Sequence, residues 1–271
     1  MALAIATNNS AIQAAAAASS VNRNMETSIE RLSTGRRINS ASDDAAGVAI
    51  SSRLSAEIRG TNQGIRNALD GQSLIDTAEG AHKEVENLLQ RMRELAIQAA
   101  NGTNNADDIT NLEAEFTALS TEITRIGEVT SFAGKALTGT DSTAISFQVG
   151  SGTASANQIS VTINSIKSAD IGTQGDGTDL LGVGNDGLDN LYETNRAIVV
   201  IDDAIKEVNT QRSELGAVSN RLTHAVNNLS SISSNLSSSQ GRIQDADFAL
   251  ETTELAKNQI LKQASTAMLA Q

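Results

Sequence analysis

"IDDAIKEVNTQRSELGAVSNRLTHAVNNLSSISSNL", Ile201 to Leu236, carries an apolar residue at every seventh position: Ile201, Val208, Leu215, Leu222, Leu229 and Leu236. Ile243 and Leu250 extend the series. Seven residues is nearly two helical turns, so the repeat marks one face of a helix that meets a partner helix along its length. The second seam position is filled unevenly, by Ile198 and Ile205 early and by Val218, Ala225 and Ile232 later. At about 1.5 Å per residue, a helix from Leu191 to Leu236 is roughly 70 Å long, longer than an ordinary globular domain is wide. The stretch predicts a rod.

Two further runs supply partners for it. Leu74, Ala78, Ala81, Val85, Leu88, Met92, Leu95 and Ala99 alternate steps of four and three until Asn101-Gly102 ends the run. Ile109, Leu112, Phe116, Leu119, Ile123 and Ile126 keep the same alternation. Thr110-x-x-Glu113, with Asp107 and Asp108 before it, reads as the start of that helix. Three stripes of this length can close into an antiparallel bundle. Between the second and third runs the period falls to two in "ISFQV" (Ile145 to Val149) and "ISVTI" (Ile159 to Ile163), which predicts a β-hairpin. Asp170 to Asn190 is Gly/Asp-rich and aperiodic, a loop or linker. Near the ends, Val21, Met25, Ile29 and Leu32, and Ala256, Ile260, Ala264 and Ala267, form thin helical stripes. They bury too little apolar surface to offset their ordering entropy, so alone they are expected to fray until something supplies the missing surface. The predicted fold class is mainly α: an elongated rod of long antiparallel coiled-coil-like helices with a small β-hairpin region, plus paired terminal helices.

Composition narrows the function. Among 271 residues only 2% are aromatic, with no tryptophan and no proline, so the core is aliphatic and long helices meet no fixed stop. A net charge of -12 argues against binding the phosphate backbone of nucleic acid. No cysteine means no disulfide and no thiolate chemistry. No charged n-region precedes an apolar core at the start, and no apolar run is long enough to span a membrane.

Candidate chemistry is sparse. Asp43 and Asp44 could be taken for an acid dyad, but neighbours on a helix point in different directions. Ser40-x-x-Asp43 reads instead as a helix cap. His82 and His224 sit just off the seams and read as solvated positions, with Glu86 a turn beyond His82. "GDGTDLLGVGNDGLDN", Gly175 to Asn190, has the oxygen-rich character of a calcium loop but neither EF-hand spacing nor a repeated nonapeptide, and reads as a flexible linker. No nucleophile-base arrangement or phosphate loop is present, so no catalytic residue, metal or cofactor is expected.

Four ordered segments, "LSTGRRINSASDDAAGVAISSRL" (32–54), "QRMRELAIQAANGTN" (90–104), "FQVG" (147–150) and "DADFALETTELAKNQILKQASTAMLAQ" (245–271), resemble bacterial flagellin over essentially the whole chain. The resemblance is to a minimal member without hypervariable outer domains. It implies an N-terminal inner-domain helix at 1–42, a rod domain built from helices and hairpin at 43–190 and from a long helix at 191–239, and a C-terminal inner-domain helix at 240–271. Asp43, Asp44 and Gly47 then lie at the spoke between inner domain and rod. The rod seam comprises Leu74, Val85, Leu88, Met92, Leu95, Phe116, Leu119, Ile123, Ile201, Val208, Leu215, Leu222, Leu229 and Leu236.

The same resemblance implies self-polymerisation into a filament for swimming, beneath a cap protein and above hook-junction proteins. It further implies export by the flagellar type III apparatus and a cytoplasmic export chaperone holding the C-terminal segment. A chain free of disulfides and slow prolyl isomerisation suits passage in an unfolded state. Flagellins sensed by the vertebrate Toll-like receptor carry an arginine and a leucine in a motif like "QRMREL" and a glutamate on the next helix, positions held here by Arg91, Leu95 and Glu115. That face is buried between subunits in filaments, so the monomer is the expected ligand. Flagellins usually continue past "MLAQ" into a short apolar tail; the sequence stops at Gln271, and loss of a tail would strip packing from a filament core. The alternatives are a hook-filament junction protein and, from a different class, a secreted enzyme or calcium-dependent adhesin on a helical rod.

Overall fold

In a computed structural model the described residues are 9–139, 143–172 and 191–270. The candidate calcium segment from Gly175 to Asn190 lies outside them. Five helices account for most of the described chain: α1 (Asn9–Thr34), α2 (Ala45–Ala99), α3 (Ala106–Val129), α4 (Leu191–Gln244) and α5 (Phe248–Ala270). Four strands lie between α3 and α4: β1 (Ser131–Phe132), β2 (Lys135–Ala136), β3 (Thr143–Gln148) and β4 (Gln158–Ile163).

The ends of the helices follow from local chemistry. Gly35, at φ +70°, takes the left-handed conformation that closes α1. Asp44 starts α2: its Oδ1 accepts the Gly47 N–H at 2.8 Å, while its carbonyl accepts the Val48 N–H at 3.0 Å. The predicted cap at Ser40-x-x-Asp43 is therefore displaced by one residue. Asp43 sits in the preceding turn, where its Oδ2 gathers the N–H groups of Ser40 at 2.8 Å and Asn39 at 3.0 Å. The start of α3 also moves. Asn105 and Asp108 form a reciprocal capping box, and Thr110, expected to open the helix, is inside it with its hydroxyl donating to the Ala106 carbonyl. Asp247 opens α5 by accepting from Ala249 at 2.9 Å and Leu250 at 3.2 Å.

Contacts group the chain into two units, residues 1–59 with 232–271 and residues 60–231. The second holds the apolar core. One cluster joins Val85, Leu89, Met92 and Leu95 of α2 with Phe116 and Ile123 of α3 and Ile201 and Val208 of α4. Another seats the alternating Ile159, Val161 and Ile163 of β4 against Ala68, Ile75 and Ala78 of α2 and Leu215 and Leu222 of α4. β3 and β4 pair antiparallel, with Ile145 opposite Val161 and Phe147 opposite Ile159. β1 and β2 form a second, minimal hairpin.

Some seam positions differ from expectation. On α2 the fully buried residue is Leu89, with Leu88 only partly buried, and on α3 Ser120 is more deeply buried than Leu119. On α4, Ile201, Val208, Leu215 and Leu222 are buried, whereas Leu229 and Leu236 are half-buried. A straight helix drifts about 20° per heptad from a strict seven-residue row. A face that begins on one row thus leaves it within a few heptads. The series does not run through Leu250 as one helix: α4 ends at Gln244, and Leu250 is exposed on α5.

Candidate functional site: a polar-seamed helix pair and an ion-pair patch

In the first unit α1 packs on α5, and the seam between them is polar. Glu251, Asn258 and Ser265 recur at seven-residue spacing on α5 and are all buried, as is Ser28 on α1. Arg31 crosses the seam to Glu251 at 2.9 Å, so the buried carboxylate is paired. Val21, Met25 and Leu32 of α1 and Leu255 of α5 are half-buried, while other apolar side chains face outward. Phe248, Leu250 and Ile260 are each at least 60% exposed, with Ile29 and Leu261 also exposed. The sequence stripe Ala256, Ile260, Ala264, Ala267 thus lies on an outward face of α5 instead of in the pair. Each segment is helical here with the other packed on it, alanine giving α1 strong helix propensity and Gly35 and Asp247 closing the facing ends.

Beside this pair, the two breaks in the helical chain are stapled together. The Arg37 N–H donates to the Gln244 carbonyl at 2.7 Å and the Ala246 N–H to the Gly35 carbonyl at 3.0 Å, an antiparallel bridge centred on Arg36 and Asp245. Arg37 also donates through its guanidinium to the Ile243 carbonyl at 2.8 Å. The turn after it is stabilised by Asp43, whose carboxyl is held below its ordinary pKa by the backbone N–H of Ser40 and then that of Asn39. Gly47 is buried directly under Ile38, a core contact that no periodicity in the sequence points to.

The second surface lies on α2 and α3. Arg91 bridges to Glu115 at 2.8 Å and to Glu94 at 3.0 Å, with about half of each of the Arg91 and Glu115 side chains exposed. Hydrogen bonding to Glu115, then Glu94, raises the Arg91 pKa. Two residues on, Arg93 reaches Asp202 of α4 at 2.7 Å. Leu95, grouped with this patch in the sequence, is 1% exposed and packs in the core. It shapes the ground beneath the patch and offers no surface to a partner.

The two histidines separate. His224 is exposed, but His82 is fully buried at the meeting of α2, α4 and the segment after β4, contrary to the expected solvated position. Its backbone places it on the inner face because the buried row runs through Leu89 and Ile75. Among the described residues no group of three or more His, Cys, Asp or Glu side chains is arranged to hold a metal ion. No helix among them is long and apolar enough to cross a membrane.

Comparisons with known proteins agree in both halves of the chain. Residues 5–141 match the model of the bacterial flagellin N-terminal helical region, and residues 198–271 that of the C-terminal helical region. Polar flagellin F of Vibrio parahaemolyticus is 36% identical over 364 aligned residues, covering 100% of this chain and 97% of that protein. Flagellin E of Vibrio cholerae is 35% identical over 364, covering 100% and 96%. A solved structure of a flagellar hook-associated protein from Vibrio parahaemolyticus shares the fold, with a TM-score of 0.65 over 75% of this chain and 100% of that one at 18% identity.

Proposed function

Since the chain belongs to the bacterial flagellin family, we propose that it is a structural subunit that polymerises into the flagellar filament and so serves swimming. One observation carries the reading furthest. The α1–α5 pair closes on polar and charged groups while Ile29, Phe248, Leu250, Ile260 and Leu261 face outward. Such a pair leaves part of its apolar surface free for neighbouring copies, which are the partners a helical homopolymer provides. In this reading the α1–α5 pair is the inner domain, the 43–239 region the rod, and Asp43, Asp44 and Gly47 the spoke. The 364-position alignments against a chain of 271 residues support a minimal flagellin, because the relatives carry residues without counterpart here.

Export by the flagellar type III apparatus and an extracellular location belong to the same proposal, supported by the absence of cysteine and proline. The cap and hook-junction proteins would be its neighbours in the flagellum. The exposed apolar residues of α5 are suited to a cytoplasmic export chaperone. Recognition of the monomer by the flagellin-sensing Toll-like receptor would rest on Arg91 and Glu115, which are accessible, with Leu95 acting only through packing. No catalytic role is proposed.

A hook-filament junction protein is the second reading, favoured by the shared fold of the hook-associated structure. Incubating the purified chain with sheared filament seeds and examining it by negative-stain electron microscopy separates the two. Seeds that elongate into long filaments support the filament subunit. Seeds that gain only a short terminal addition support the junction protein.

A further inference from the structure

His82 is fully buried between three elements of the second unit, and its two ring nitrogens have unequal fates. Nδ1 lies 2.7 Å from the Ala78 carbonyl, which can only accept, so Nδ1 carries the hydrogen. Nε2 has no protein partner within hydrogen-bonding distance. The His82 side chain lines a cavity of about 10 Å³ walled by Asn164, Ser165, Ile166 and Ile171 of the segment after β4 and by Glu207 and Gln211 of α4. That volume holds one water at most.

Charged groups surround the ring but are committed elsewhere. On α2, Glu79 and Glu86 both pair with Arg212 of α4. In the segment after β4, Asp170 accepts from Ser165 and pairs with Lys167 at 3.6 Å. Glu207 accepts the Gly172 N–H at 3.4 Å. A proton arriving at Nε2 would therefore create a buried cation that no carboxylate hydrogen-bonds as the ring stands, with Glu207 lining the same cavity but bonded to the Gly172 N–H.

We propose that His82 is an acid-sensitive latch: neutral, it holds the segment Asn164–Gly172 against α2 and α4, and protonated, it releases that segment. Apart from His82, the segment is anchored by Ile166 and Ile171 in the core cluster, by Ser168 hydrogen-bonded to Thr124 at 2.6 Å, and by the longer bonds from the Ile166 N–H to the Thr138 carbonyl at 3.2 Å and from the Asn164 N–H to Gln211 at 3.4 Å, so its release is a local opening of the core. Burial, the largest influence on the ring, lowers its pKa, with the Ala78 carbonyl and Glu79 opposing and Arg212 assisting. The folded state therefore binds this proton less readily than the unfolded chain. The latch is fully closed above the unfolded value of about 6.5 and loosens as pH falls below it toward the depressed folded value.

The test uses the full chain, His224→Gln to leave one histidine signal, and His82→Leu to fill the site without titration. In His224→Gln, the His82 ring-proton resonance should titrate below pH 6.5. Below that pH, hydrogen exchange should show the opening equilibrium at Ile166 and Asn164 rising by up to about tenfold per pH unit, relative to His82→Leu. An ordinary titration for His82, or the same pH response in His82→Leu, overturns the proposal. If His82→Leu fails to fold, the exchange profile of His224→Gln decides: an opening equilibrium at Ile166 and Asn164 that stays flat below pH 6.5 overturns the proposal.

Discussion

At the residue scale, Asp43 and Asp44 divide one job between them. Asp44 ties the first turn of α2, and Asp43 ties the turn that leads into it. Replacing Asp44 with alanine is expected to cost about 1 kcal/mol in urea denaturation, the usual effect of losing an N-cap. Asp43 should act through pH. Its folded carboxyl has the lower pKa, so its stabilisation is complete above the unfolded value of about 3.9 and is lost as pH falls through the folded one. Between pH 7 and pH 3, Asp43→Asn should lose less thermal stability than the parent; equal losses would show the turn to be irrelevant to the acid limb. The core offers a sharper residue contrast. Leu89 is fully buried and Leu88 is not, so Leu89→Ala should destabilise by about 2–5 kcal/mol and Leu88→Ala by distinctly less. Equal midpoints for the two variants would restore the seam read from the heptads.

At the element scale, the β3–β4 hairpin depends on a close approach to α2. A side chain added at Gly64 would meet the Val149 carbonyl oxygen at 2.6 Å, and that oxygen belongs to backbone and cannot swing aside. Gly64→Ala should therefore displace the end of β3, costing about 1–3 kcal/mol. Amide exchange at Val149 and Gly150, which both donate to the Asn157 carbonyl, would report it; unchanged protection there would show that the hairpin seats differently. The elements themselves were legible because period is a property of sequence. Alternation gave the strands of the hairpin, and heptads gave α3, α4 and the half of α2 from Leu74 onward, though not its extension back to Ala45. Their finer placement was not legible. Leu88 and Leu89 are chemically identical, and only the drift of a real helix against its neighbours chooses between them. The cap of α3 fell to Asn105 and Asp108, five residues before the box read at Thr110 and Glu113. His82 read as solvated because its neighbours are charged, yet Glu79 and Glu86 are drawn off by Arg212, which lies 126 positions beyond Glu86. The α1–α5 seam hid for a related reason: a seven-residue row of Glu251, Asn258 and Ser265 carries no hydrophobic signal.

At the scale of the whole molecule, the proposed assembly sets two forces against each other. Each subunit carries a net charge of -12, so copies repel, and salt weakens that repulsion over distances of about 10 Å at 0.1 M. The attraction has to come from apolar surface that the isolated chain leaves in water, and α5 supplies it at Ile260, 66% exposed, and Leu261, 42% exposed. Because neither side chain is buried in the subunit, Ile260→Glu with Leu261→Glu should change its thermal stability little, by about 0.5 kcal/mol or less per substitution. The same pair should abolish seeded elongation, adding two charges to a surface that must be desolvated between copies. Raising the salt should speed elongation of the parent and leave the variant inert, since screening relieves long-range repulsion but not the cost of burying a carboxylate. Filament growth by the variant at any salt, followed by turbidity and electron microscopy, would remove this face of α5 from the assembly surface.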